Sequence, residues 1–271
     1  MSRVGLAVAL LIFGIAGVLL GLEPNIDLSI ARTFFLLGRD QSGAFAVYAE
    51  PAVGALRRLA LWIEIALIAF PFVALAMKFI FLGRKMLVPA SAILFLASSL
   101  ILGPGLLVNV ALKNHWGRPR PVQVEQFGGT ERFMPWWQPN GDCKRNCSFV
   151  SGEASAAFWA IAPAALATAE WQPLTFGAAM VFGAAISFSR IATGGHFLSD
   201  TIFAGVFTFL VIWLTYALIY RRMRLIDDRI ELGLERVARS MHAALRRMRP
   251  YFGGEPPGYT AHRSDVEIAL D

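Results

Sequence analysis

The sequence predicts an all-α fold: a six-transmembrane-helix bundle followed by an amphipathic C-terminal helix. Three observations carry the prediction. Hydrophobic residues make up 56% of the chain and charged residues only 16%, with a mean hydropathy of +0.55. That balance suits a chain dissolved in lipid rather than a soluble domain around a large core. Apolar runs of near-spanning length recur through residues 4–220, and in lipid only helices or closed barrels satisfy the backbone. After residue 221 the chain becomes arginine-rich, with Ile226, Ile230, Val237, Met241 and Leu245 at helical spacing.

The first span is residues 4–22, an apolar run behind Met1, Ser2 and Arg3. No small-residue cleavage site stands out, so it reads as an uncleaved span, with a cleaved signal as the alternative. Residues 23–58 are mixed, broken by Pro24, Gly43 and Pro51, and read as a partly helical interfacial stretch. The second span is 59–82, with Glu64 and Lys78 near head-group depth. A basic turn, Gly83-Arg84-Lys85, leads into the third span, 86–112, where Gly103-Pro104-Gly105 predicts a kink.

Residues 113–152 form a polar loop of a length that usually has a function. Its Trp116, Trp136 and Trp137 suit an interfacial belt. The fourth span is 153–169, the fifth 174–192 and the sixth 196–220. The tail then holds an amphipathic helix over 225–249, on the membrane surface or packed on the bundle, and a disordered stretch over 250–271. The chain thus divides into a membrane domain, 1–220, and a basic cytoplasmic tail, 221–271. The chain carries a net charge of +6, and the tail's ten arginines point to a membrane surface and not to nucleic acid.

Arg3, the Arg84-Lys85 turn and the tail arginines predict cytoplasmic ends. Six spans then place residue 113, residues 151–153, residue 190 and residue 196 on one outer face. Every suspicious polar cluster falls there, and each suits an anion. Lys113 offers a point charge, Arg120 and Arg190 offer forks. Ser151-Gly152 opens a helix, whose free N–H groups and dipole favour a phosphate. His196 and Asp200 are four apart, so on a helix they share a face, and the carboxylate can hold one ring nitrogen and free the other to attack. Gly194-Gly195 lets the backbone turn sharply beside them. Cys143 and Cys147 lie in the outer loop, where oxidation is favoured. A bridge between them is the expectation, and two free thiols are the alternative.

The pattern Lys113-x6-Arg120-Pro121, then Ser151-Gly152, then Ser189-Arg190-x5-His196-x3-Asp200 resembles the three signature motifs of the type 2 phosphatidic acid phosphatase family, which it shares with vanadium haloperoxidases and glucose-6-phosphatase. The resemblance implies a lipid phosphatase in which His196 takes the phosphoryl group and Asp200 holds His196. It also implies that Lys113, Arg120, Arg190, Ser151 and Gly152 bind the phosphate, with no metal or other cofactor. Three cations can neutralise a phosphoryl group in place of a metal.

One position departs from the family. Its second motif usually ends in a histidine that protonates the leaving group, and here the stretch reads Val150-Ser151-Gly152-Glu153. Glu153 is the candidate acid and His115 a weaker one. The alternative for Glu153 is a helix cap or a partner to an arginine. The expected partners are a phosphorylated lipid and the membrane; the oligomeric state is not legible. Lipid A, prenyl diphosphates, phosphatidylglycerophosphate and phosphatidic acid are candidate substrates. The Cys-Ser-Phe-Val-Ser-Gly-Glu segment resembles bacterial envelope members and favours lipid A or another envelope lipid, at a periplasmic site on the inner membrane. A phosphotransferase using the same residues, or a lipid-binding or transport protein without chemistry, are the other readings.

Overall fold

A computed structural model describes residues 1–37, 45, 50–81, 88–222 and 226–252. Among these the fold is all-helical, without a strand. We number the helices α1 (Arg3–Leu22), α2 (Asn25–Leu37), α3 (Pro51–Ile80), α4 (Ala90–His115), α5 (Gly152–Phe158), α6 (Ile161–Ala164), α7 (Gln172–Ala192), α8 (Leu198–Arg221) and α9 (Ile226–Phe252). Five of them, α1, α3, α4, α7 and α8, are long and apolar enough to cross a membrane. Their outer faces remain exposed, as with Val4, Leu11, Trp62, Phe70, Val181 and Phe188, where water would be a poor neighbour and lipid a good one.

The expected fourth span is where the structure departs from the prediction. Residues 153–169 form no single helix but two short ones, α5 and α6, joined through Trp159 and Ala160. Pro163 supplies the reason. It has no N–H for the carbonyl of Trp159 four residues back, and its ring crowds that carbonyl. The Trp159 carbonyl instead accepts from Ala162 N at 2.8 Å, and the helix restarts out of register. Trp159 is buried at the break and its indole donates to Ser99 Oγ at 3.0 Å. The broken pair still runs from the residue 151 end of the bundle back to the start of α7, where Gln172 Nε2 donates to Ala165 O at 3.1 Å.

One boundary moved, and one expected kink took a particular form. The second span begins at Pro51, eight positions before residue 59, so the stretch read as interfacial is partly the first two turns of α3. Proline at the first helical position is a start signal that the charges of Arg57 and Arg58 obscured. At Gly103-Pro104-Gly105, where a kink was expected, the helix continues with π-type turns over Ile101–Leu112. Asn109 Nδ2 fills part of the gap by donating to Pro104 O at 2.7 Å.

The start of α1 and the first turn of α2 are each pinned to α8. Trp213 Nε1 donates to Ser2 O at 3.1 Å and Arg221 Nη2 to Met1 O at 3.1 Å, so the chain's first residues meet the last turn of α8. At the other end, Asp27 of α2 reaches the first turn of α8. The helix α9 packs on the bundle, at the ends of α3 and α4: Lys78 is buried 3.5 Å from Glu235, His242 Nε2 lies 2.7 Å from Phe79 O, and Ala238 is fully buried. The Arg84-Lys85 turn and residues 253–271 lie outside the described residues.

Candidate active site

At the end of the bundle opposite Met1, α3, α4, α5, α7 and the turn before α8 converge on a cavity of about 740 Å³. Its wall holds Lys113, Arg120, Glu153, Arg190 and His196, five of the positions expected from the sequence, together with Arg57 and Asn146. The 113–152 loop is folded against this end by its own backbone. Ser148 N donates to Arg118 O at 2.8 Å, Cys147 N to Lys113 O at 3.1 Å and Asn140 N to Trp116 O at 2.9 Å. A disulfide joins Cys143 to Cys147. Trp116 packs against Phe149 and Trp136 against Phe203 under the loop, whereas Trp137 is exposed.

His196 is buried in the turn between α7 and α8. Its Nδ1 lies 2.8 Å from the carbonyl of Ser148, an acceptor only, so Nδ1 carries the proton and Nε2 keeps its lone pair. Asp200, expected to hold this ring directly, is 3.7 Å from Nδ1. Its Oδ2 accepts instead from Ser148 Oγ at 2.5 Å and from Phe197 N at 2.8 Å. Asp200 therefore orients Ser148, and Ser148 orients the imidazole. Burial drives the His196 pKa down to about 4, against the upward pull of Asp200, so the ring is neutral near pH 7.

Asp200 is held by a residue that the motif spacing leaves unassigned. Arg118, fully buried, donates to Asp200 Oδ1 at 2.5 Å, Asp27 Oδ2 at 2.8 Å, Ser199 Oγ at 2.7 Å and Met134 O at 2.8 Å. Its guanidinium lies over the Phe197 ring, 4.5 Å from the centroid. Burial opposes its charge, and the two carboxylates outweigh that and hold its pKa above the ordinary value. Asp27 also caps α8, accepting from Ser199 N at 2.9 Å.

The cations stand around the cavity. Lys113 Nζ donates to Asn146 Oδ1 at 3.1 Å, and Arg120 Nη2 donates to Asn146 O and Oδ1, both at 3.0 Å. Arg190 lies in the last turn of α7, folded beneath the Gly194-Gly195 turn. A Cβ on Gly195 would land on its guanidinium, and Gly194 has φ +65°, so both positions need glycine. Gly195 N and His196 N both donate to Arg190 O, at 3.0 and 3.2 Å, which fixes the ring beside the cation.

Ser151 caps α5, its Oγ accepting from Ala154 N at 3.3 Å. Gly152 is packed so closely that a Cβ would lie 2.7 Å from Asn109 Oδ1 and 3.1 Å from Lys113 Nζ. The first-turn N–H groups of Gly152 and Glu153 therefore start a helix beside Lys113, where backbone donors lack intrahelical partners. Glu153 is bound by two arginines. Arg57 grips it as a fork, Nη2 to Oε1 at 2.8 Å and Nε to Oε2 at 3.1 Å, and Arg190 Nε lies 3.6 Å away. Burial raises the Glu153 pKa, but Arg57 and Arg190 together bring it below the ordinary value. His115 is exposed, bonded at 2.9 Å to Ala111 O, and does not line the cavity. No cluster of three or more His, Cys, Asp or Glu is placed to hold a metal among the described residues.

Comparison with known proteins agrees with this geometry. The family model described as PAP2 superfamily matches residues 90–224, which carry all three motifs. The lipid A 4'-phosphatase of Francisella tularensis subsp. novicida is 36% identical over 224 residues, covering 82% of this chain and 99% of that protein. The lipid A 4'-phosphatases of Rhizobium leguminosarum and Rhizobium etli are 44% and 45% identical over 113 and 111 residues, each covering 38% of this chain and 45% and 40% of those proteins. No solved structure matches at a significant level. The chain belongs to the PAP2 superfamily, the type 2 phosphatidic acid phosphatases, and is a membrane lipid phosphatase.

Proposed function

We propose that this protein removes a phosphate from lipid A or a closely related envelope lipid, through a phosphohistidine on His196, at the periplasmic face of a bacterial inner membrane. One observation carries the mechanism. A neutral imidazole, with its proton fixed on Nδ1 by the Ser148 carbonyl, borders a cavity walled by Lys113, Arg120 and Arg190. The substrate class rests on the relatives' activity and the extent of the likeness to the Francisella protein.

In the first step Nε2 donates its lone pair to phosphorus, the P–O bond to the lipid breaks, and the leaving oxygen takes a proton from Glu153. In the second, water attacks phosphorus and returns a proton to Glu153. The P–N bond breaks, the electron pair goes back to Nε2, and inorganic phosphate leaves. The three cations neutralise the charge on the equatorial oxygens, so this account needs no metal.

The test is phosphate release by the purified full chain from lipid A, a prenyl diphosphate, phosphatidylglycerophosphate and phosphatidic acid, with and without a chelator. Preferred, chelator-insensitive turnover of lipid A is expected. Preference for another lipid overturns the substrate assignment, and dependence on an added metal overturns the mechanism. Release that requires a lipid acceptor identifies a phosphotransferase.

A further inference from the structure

We propose that Arg57 is a further substrate-binding residue that works by exchange: without substrate it holds Glu153, and with phosphate in the cavity it turns to the phosphate and releases Glu153 as the acid. This rests on the reading of Glu153 as the leaving-group acid and explains how that reading can hold. A carboxylate gripped by two arginines has no proton to give.

The geometry suits an exchange. Arg57 lies near the start of α3 and lines the same cavity as His196, Lys113, Arg120 and Arg190. The side chains of Arg57 and Glu153 are 38% and 42% exposed, so packing locks neither of them. A guanidinium fork matches phosphate oxygens as well as a carboxylate, and a dianion carries twice the charge. The move therefore replaces one ion pair by a stronger one.

Glu153 is then faced by a changed set of groups. Arg190 from α7, Lys113 from α4, Arg120 from the loop and His196 from the turn remain, with Glu64 of α3 as a like charge. A phosphate dianion is added and Arg57 is withdrawn. Both changes favour the protonated carboxyl. Glu153 takes up one proton from solvent, passes it to the leaving oxygen, and recovers one from the attacking water.

The exchange also opens a route. A second cavity of about 430 Å³ lies on the α3 and α7 flank, walled by Gly54, Arg58, Ala60, Leu61, Glu64 and Ile186. Among the described residues, the two cavities share only Arg57 and Glu153 in their walls. Parting this pair joins them, giving a lipid head group lateral access to His196.

The experiment compares the full chain with Arg57→Ala, Arg57→Lys and Glu153→Gln in detergent, on lipid substrate and an aryl phosphate, with inorganic phosphate as competing ligand. The inhibition constant for phosphate and KM for both substrates should rise about tenfold in Arg57→Ala, as for loss of one charge-assisted fork. Arg57→Lys should recover part of this. The basic limb of kcat/KM on lipid, which reports the free enzyme, should move to higher pH in Arg57→Ala because Glu153 loses its partner. The basic limb of kcat, which reports the substrate complex, should move far less, since Arg57 has already left Glu153 there.

Unchanged phosphate inhibition in both Arg57 variants, or equal movement of the two limbs, overturns the exchange. Failure of the acid reading is separate: Glu153→Gln would then slow first-turnover release of the leaving group equally from lipid and aryl phosphate.

Discussion

Replacing Arg118 by Met removes the guanidinium that joins Asp27 to Asp200. Arg118 is completely buried, and four of its hydrogen bonds end on Asp27, Asp200, Ser199 and Met134. The two carboxylates keep partners of their own. Asp200 retains Ser148 Oγ and Phe197 N, and Asp27 retains Ser199 N. What they lose is, among the described residues, the only cation within salt-bridge distance of both. Leaving a buried charge uncompensated costs about 3–5 kcal/mol. At roughly 2–4 °C per kcal/mol for a chain of this size, the melting temperature should fall by about 10 °C. Asp27→Asn removes one charge and keeps the Arg118–Asp200 pair, so it should cost only about 1–2 kcal/mol. The double variant should cost less than the sum, because Asp27→Asn relieves part of what Arg118→Met creates. The assay is thermal unfolding in detergent, with the helical circular dichroism signal before the transition as a folding check. A melting temperature for Arg118→Met within about 2 °C of the parent, or strictly additive losses, would refute the view of this cluster as a coupled buried network.

Three further outcomes follow from the site. Glu153→Gln should slow first-turnover release of the lipid alcohol about 100-fold while leaving first-turnover release of an aryl alcohol nearly normal, because only the poor leaving group needs a proton; Glu153→His should restore part of the loss. The acid limb of kcat/KM should lie near pH 4, well below an ordinary histidine, because activity requires neutral His196 and is lost as pH falls through its lowered pKa; an acid limb near 6.5 contradicts the buried neutral ring. A phosphatase reporter inserted near Gly128 should be active outside, and one fused after Tyr220 inactive; the reverse pattern removes the periplasmic site.

Much of the fold was legible because lipid enforces long apolar runs, and α1, α7 and α8 lie within about two residues of their expected bounds. The errors are local and have local causes. Arg57 and Arg58 made the start of α3 look interfacial, although Pro51 marks its first turn. Pro163 divided the fourth run, yet a run of alanines hid the consequence. At the site, Lys113, Arg120, Glu153, Arg190 and His196 share one cavity because their motifs sit at helix ends on one side of the bundle. Asp200 was found, but not its actual contacts. Ser148 holds His196 through a main-chain carbonyl, which leaves no side-chain signature. Asp27 and Arg118 are 91 positions apart, and Arg57 and Glu153 are 96, so no spacing rule connects them. The available signals were a lone acid between Ile26 and Leu28, and an arginine inside the first motif that the motif does not use.

The central claim is the covalent intermediate on His196. Rapid quenching of the enzyme with lipid labelled in its phosphate, kept alkaline to preserve a P–N bond, measures it directly. The account predicts label on the peptide containing His196, lost on mild acid treatment and absent in a folded His196→Ala variant that no longer turns over. Turnover with no labelled protein at any quench time, or label that persists in His196→Ala, would contradict it.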